Sequence, residues 1–117
     1  MADQFDVDQS RRFLAQKEID KKEKREEERK VVLALAIRSL TDLFQGTGVE
    51  VFLVGSITQP HLFHSHSDVD IVLKNFAGDR FEVWTKLESM LHRNVEIILF
   101  EHCPFQEHVL RNGYRVF

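Results

Sequence analysis

Thirteen of the fourteen residues from Lys17 to Lys30 are charged, and a segment of that composition cannot enter a hydrophobic core. Any core must therefore come chiefly from the 87 residues that follow. Within the run, Glu18 and Lys22, Asp20 and Lys24, and Glu26 and Lys30 stand four apart with the acid first, the favourable order on a helix. Each such pair contributes only about 0.2–0.5 kcal/mol, and Lys21 with Arg25 opposes them. Residues 1–30 thus read as a charged helical extension, solvated or partly disordered. Alternatively, Phe13, Leu14 and Ile19 mark a face that docks on a partner chain.

Charge divides unevenly between the two parts. The extension holds nine basic and nine acidic groups, so the net charge of -3 belongs wholly to residues 31–117. A mildly acidic domain offers no basic surface for nucleic acid. One Cys excludes a disulfide framework. No apolar run approaches the roughly 20 residues of a membrane span, and the acidic start MADQFDVDQ is not a signal peptide, so a cytoplasmic protein is expected.

From Val31 the character changes. Leu33, Ile37, Leu40 and Phe44 recur at helical spacing, with Arg38, Ser39 and Asp42 off that face, and Gly46 and Gly48 supply a stop. Residues 49–56 form a β-branched strand, 57–67 a loop or single helical turn around Pro60, and 67–74 a second strand. Residues 80–93 set Phe81, Trp84, Leu87 and Leu91 on one helical face. A third strand occupies 95–101, and Pro104 opens a last short helix that Gly113 ends. The order α-β-loop-β-α-β-α predicts an α+β domain with a small mixed sheet and flanking helices. Trp84 and the ten Phe are core material first, and the sole Tyr, Tyr114, reads as ordinary packing.

The loop between the first two strands is bounded by chemistry. Gly55-Ser56 opens it, and Ser67-Asp68-Val69-Asp70 closes it. Side chains alternate along a strand, so Asp68 and Asp70 project from one face about 7 Å apart. Asp70 runs into the apolar Ile71-Val72-Leu73, and Glu96 is an acid in an otherwise apolar third strand. Three such carboxylates at one sheet end are costly without cations. A pair of divalent ions roughly 3.5–4 Å apart is the usual answer in phosphate chemistry. A glycine just after a strand permits close backbone approach to a ligand, and a following helical turn can hold phosphate. His61, His64 and His66, or His102 with Cys103, lack a fourth ligand at zinc spacing.

The run Val54-Gly55-Ser56, then Ser67-Asp68-Val69-Asp70-Ile71, then Val95-Glu96-Ile97 resembles the minimal nucleotidyltransferase family of the DNA polymerase β-like superfamily. The resemblance covers about residues 31–117 and implies the nucleotidyltransferase fold. It implies that Gly55, Ser56 and Ser67 bind the triphosphate of ATP, while Asp68, Asp70 and Glu96 are the catalytic acids and ligands of two Mg²⁺ ions. It also implies a role as an antitoxin that transfers AMP to a tyrosine of a HEPN ribonuclease toxin, or that neutralises the toxin by binding alone. Transfer to a small molecule such as an aminoglycoside fits less well, because no segment is long enough to add a recognition domain. The histidines of the loop are then expected near the triphosphate or in solvent, and Phe63 lies in the right loop to stack on adenine. Three departures stand out. The Ser56–Asp68 spacer is about one residue long for the family. Residues Ile57-Thr58-Gln59-Pro60 lack an Arg and a second Gly, and Glu96 stands where Asp is commoner.

Overall fold

A computed structural model describes residues 2–117, with side chains from Val7 onward. Helix α1 (Ala2–Phe44) leads into strand β1 (Glu50–Val54), a 3-10 turn at Gly55–Thr58, and strand β2 (Val69–Lys74). Helix α2 (Arg80–Leu91), strand β3 (Val95–Leu99), a second 3-10 turn (Phe100–His102), helix α3 (Gln106–Asn112) and strand β4 (Tyr114–Arg115) complete the chain. The sheet order is β3-β2-β1-β4. β2 and β3 are parallel, joined through α2, whereas β1 runs antiparallel to both β2 and β4. The mixed sheet with flanking helices is the expected α+β class. β4 was not expected, because two residues are too short to show alternation; pairing of Leu53 with Tyr114 and Phe52 with Arg115 creates it.

α1 does not break where the sequence changes character at Val31. Its 43 residues form one helix, about 65 Å at 1.5 Å per residue, and the molecule is 70 Å in its longest dimension. The buried stripe is Val32, Ala36, Leu40 and Phe44: Leu40 and Phe44 are as expected, Val32 and Ala36 stand where Leu33 and Ile37 were expected, and Ser39, expected off the face, is buried too. Leu33 and Ile37 flank it, partly buried. The apolar run Val31–Ile37 has no polar edge to fix the face from sequence, and the small Ala36 is fully buried. Phe13, Leu14 and Ile19 are exposed, but at 100° per residue they point in three directions and form no common face. The expected four-apart pairs are absent among the described residues. Glu26 instead takes two hydrogen bonds from the Arg29 guanidinium (2.9 and 2.6 Å) and one from the backbone N–H of His61 (2.7 Å). Gly46 follows the helix at φ 77°, the left-handed stop expected there.

Strand alternation assigns the two sheet faces. Val51, Leu53, Ile71, Leu73 and Ile97 join α1 and α2 in the main core. Phe52, Val54 and Val72 face the other way and are covered by Phe100, Cys103 and Val109. In α2, Leu87 and Leu91 are buried and Trp84 half-buried, but Phe81 is 67% exposed instead of packed. It lies in the first helical turn, past the rim of the core, where its ring leans on Trp84 at 5.6 Å. Asp79 caps this helix by accepting from the N–H groups of Phe81 and Glu82. Pro104 and Phe105 form a turn, so α3 starts at Gln106, later than expected.

The outer edge of β3 is closed by α2. Trp84 Nε1 donates to the Val95 carbonyl (2.8 Å), Arg80 donates to the Ile97 carbonyl, and the Val95 N–H donates to Glu88 (3.1 Å). Among the described residues, no helix is long and apolar enough to cross a membrane.

Candidate active site

Asp70 stands at the centre of the candidate site because of register. It is opposite Val54 on β1 and beside Glu96 on β3. Gly55 follows Val54 with φ +78°, and a Cβ built there would lie 2.5 Å from Asp70 Oδ2. Gly55 is thus required twice, by its left-handed backbone and by the carboxylate against it. The close approach expected of this glycine is made first to Asp70 itself.

Burial, then the charge and hydrogen bond of Glu96, then the charge of Asp68 push the Asp70 carboxyl up to about 6. Asp70 is half-buried, while Glu96 and Asp68 are exposed. Asp68 is not in a strand, since β2 begins at Val69. None of the ion pairs among the described residues involves Asp68, Asp70 or Glu96. The fold therefore gathers negative charge at this end of the sheet and leaves it without a cationic side chain.

Two cavities adjoin neighbours of Asp70, not Asp70 itself. A cavity of about 360 Å³ beside Gly55 is lined also by Val54, Thr58, Gln59, His108 and Asn112. Another, of about 580 Å³, adjoins Glu96 and is walled by Phe81, Trp84, Val95 and Ile97. Ser56 lies in the 3-10 turn, where its carbonyl accepts from Gln59 N–H. The Ser67 hydroxyl accepts from His64 N–H (2.9 Å), so this serine builds the loop on which it stands. Phe63 is only 1% exposed, with the Arg93 guanidinium 4.4 Å over its ring, and cannot stack on a base. His61, His64 and His66 are exposed, and His66 N–H donates to His64 Nδ1.

Sequence reasoning missed the cations behind the site. Arg29 is 9% exposed and donates to the Ile57 carbonyl at 3.0 Å, tying α1 to the turn after Gly55. Its hydrogen bonds and that of His61 N–H hold Glu26 at about 2, far below the usual carboxylate range. Arg93 bonds Glu28 of α1 and the carbonyls of His64 and Ser67. Arg29 has one local partner, Glu26, but its bond to Ile57 and all the bonds of Arg93 reach 26 to 65 residues along the chain, where no local pattern marks them.

Three solved structures are similar in fold. One is a toxin-antitoxin with AMP-PNP, 24% identical, with 73% of this chain and 72% of that chain covered and a TM-score of 0.56. A second is the toxin-antitoxin MntA-HpeT with a Tyr-to-Ala change, 25% identical over 69% and 68%, TM-score 0.52. The third is MntA-HpeT with Asp changed to Glu at two positions two residues apart, 23% identical over 69% and 68%, TM-score 0.52. This chain has the fold of the nucleotidyltransferase antitoxins. No family model and no curated protein matches it.

The donor set suits a hard cation. Among the described residues no three His, Cys, Asp or Glu side chains close on one ready point for an ion. Mg²⁺ does not need such a cage, since it takes one or two carboxylates and completes its shell with water and substrate phosphates. Adjacent carboxylate oxygens, one with its acidity suppressed by its neighbours, fit that requirement.

Proposed function

We propose that the protein is the antitoxin of a toxin–antitoxin pair and transfers AMP from ATP to a tyrosine hydroxyl of a HEPN ribonuclease toxin. The observation that carries this reading is the seating of Asp70 against Gly55 on one side and Glu96 on the other, with one cavity adjoining Gly55 and another adjoining Glu96. The fold shared with a toxin-antitoxin solved with AMP-PNP supports the nucleotide. The Asp-to-Glu pair in MntA-HpeT has the two-residue spacing of Asp68 and Asp70.

In the reaction, the acceptor oxygen forms a bond to the α-phosphorus of ATP, the bond to the β-phosphate bridging oxygen breaks, and pyrophosphate leaves. Gly55 and Ser56 hold the triphosphate on the Gly55 flank, and Ser67 supports the loop above it. Phe81 and Trp84 receive the acceptor on the other flank, where Glu96 accepts the hydroxyl proton. Asp68, Asp70 and Glu96 would hold Mg²⁺, which when bound would supply charge neutralisation of the triphosphate and a lowered pKa for the hydroxyl. A cation there would offset the mutual repulsion of Asp70, Glu96 and Asp68.

The test is an intact-mass measurement on the cognate toxin after incubation with ATP, Mg²⁺ and this protein. AMP should add to the toxin with wild type and not with Asp70→Asn. Wild-type protein that blocks the ribonuclease without adding mass would establish neutralisation by binding instead.

A further inference from the structure

Asp68 is the one acid of the site that no strand holds. Its neighbours are nevertheless fixed on both sides by a single short turn. The Val69 N–H donates to the Asn94 carbonyl at 3.0 Å, and Arg93 donates to the Ser67 carbonyl at 3.4 Å. The same Arg93 nitrogen donates to the His64 carbonyl at 2.8 Å, closing the loop stretch 64–67 from below. Within that stretch the Ser67 N–H donates to the His64 carbonyl, and the His64 N–H donates to the Ser67 hydroxyl.

The turn is aimed by backbone conformation. His92 takes a left-handed φ of 53° and ends α2, so Arg93 leaves the helix toward the loop. Arg93 is then pinned from a third direction. Its other terminal nitrogen donates to Glu28 of α1 at 2.7 Å, with its side chain only 11% exposed. Its plane lies over the buried Phe63 ring. Three acceptors on two segments, α1 and the 64–67 loop, are served by one planar fork, which a lysine ammonium on a flexible stem cannot reproduce.

We propose that Arg93 is a positioning residue for Asp68, and that α1 holds Arg93 in place through Glu28. The cation affinity of the acid cluster then depends on the N-terminal helix, although no residue of that helix belongs to the cluster. The inference rests on the nucleotidyl-transfer reading for what the cation does, but the positioning itself can be tested apart from it.

The variants are Arg93→Lys and Glu28→Gln in the full chain, with Glu27→Gln as a neighbouring control on the same helix. Two readouts are taken on folded protein, matched by circular dichroism. The first is amide hydrogen exchange, which Arg93→Lys should accelerate at Val69 while leaving Ile71 and Leu53 unchanged. The second is a Mg²⁺ titration followed by calorimetry at saturating AMP-PNP. Loss of an outer-shell partner costs about 10–100-fold in metal affinity. Arg93→Lys should raise the Mg²⁺ midpoint by about 10-fold, and Glu28→Gln, which keeps an oxygen acceptor, by about 3-fold. AMP-PNP affinity measured without metal should stay within about twofold, since Gly55 and Ser56 are tied to α1 through Arg29 and not through Arg93. Unchanged exchange at Val69 overturns the positioning role. An equal loss of metal-free nucleotide affinity and Mg²⁺ affinity also overturns it, because general loosening then explains both. If exchange at Val69 rises but wild type shows no Mg²⁺-dependent AMP-PNP binding, the positioning stands and the nucleotidyl-transfer reading fails.

Discussion

The two faces of the sheet do opposite things with the same strands. On one face Val69, Ile71 and Leu73 of β2 pack with Leu40, Phe44 and Leu87, all nearly or fully excluded from water. On the other, the same strand presents Val72 to a smaller cluster under α3 and Asp70 to the open end, in register with Glu96. The packed face gains stability from burial. The acid face loses some, because it half-buries a carboxylate beside another of the same charge. Alternation at a period of two lets one strand carry both, so the first face can hold rigid what the second face strains.

Substitutions on the two faces should therefore separate function from stability. The largest effect is expected for Asp70→Asn, which should lower AMP transfer by about 10²–10³-fold in a mass-resolved time course while leaving the protein folded. Leu40→Ala on the packed face should do the reverse. It should cost about 3 kcal/mol in urea unfolding, yet leave KM for ATP unchanged where the protein is still folded. If both variants lose stability and activity in parallel, the separation of faces is wrong.

Gly55→Ala should cost about 2 kcal/mol in the same unfolding measurement, from the left-handed backbone together with the contact to Asp70. In an Asp70→Ala background the contact is relieved and only the backbone part, about 1 kcal/mol, should remain. Equal costs in both backgrounds would show that the glycine is not shaped by the carboxylate.

The smallest effect is the pH dependence of Asp70. Its pKa is raised by folding from 3.8 to about 6, so the native state binds more protons than the unfolded chain between those values. The stability it confers is present at low pH and is lost as pH rises through that window. Wild type and Asp70→Asn should therefore diverge from pH 4 to pH 7, with the variant more stable at pH 7.5 by about 1 kcal/mol after allowance for solvent screening. Mg²⁺ with ATP should stabilise wild type and not the variant, as read by the shift in Tm.

Much of the acid face was legible in the sequence, because its marks are local. A glycine after a strand, two acids two residues apart and an acid within an apolar strand are visible without knowing the pairing. Parallel pairing of β2 and β3 then placed Glu96 beside Asp70. The support was not legible. Arg93 sits at the end of a helical pattern and looks like any surface cation until the fold sets Glu28, His64 and Ser67 around it. Phe63 misled for the same reason, since only the fold shows that Arg93 covers it. The first half of the stripe on α1 was off by one residue, Val32 and Ala36 instead of Leu33 and Ile37, because an uninterrupted apolar run carries no phase. β4 depends wholly on β1 for its existence.

Arg80, Trp84 and Glu88 occupy outward-facing backbone groups at Val95 and Ile97, so a visiting chain finds those groups already bonded. On the transfer proposed above, an acceptor brought to Glu96 would meet no free main-chain partner at Val95 with which to pair as a fifth strand. It would then arrive on the tip of a side chain lowered past the aromatic rim of Phe81 and Trp84. Selection there would fall on the length and shape of one side chain and on the body that presents it, not on an extended peptide sequence. Such a site would discriminate by how its target is folded.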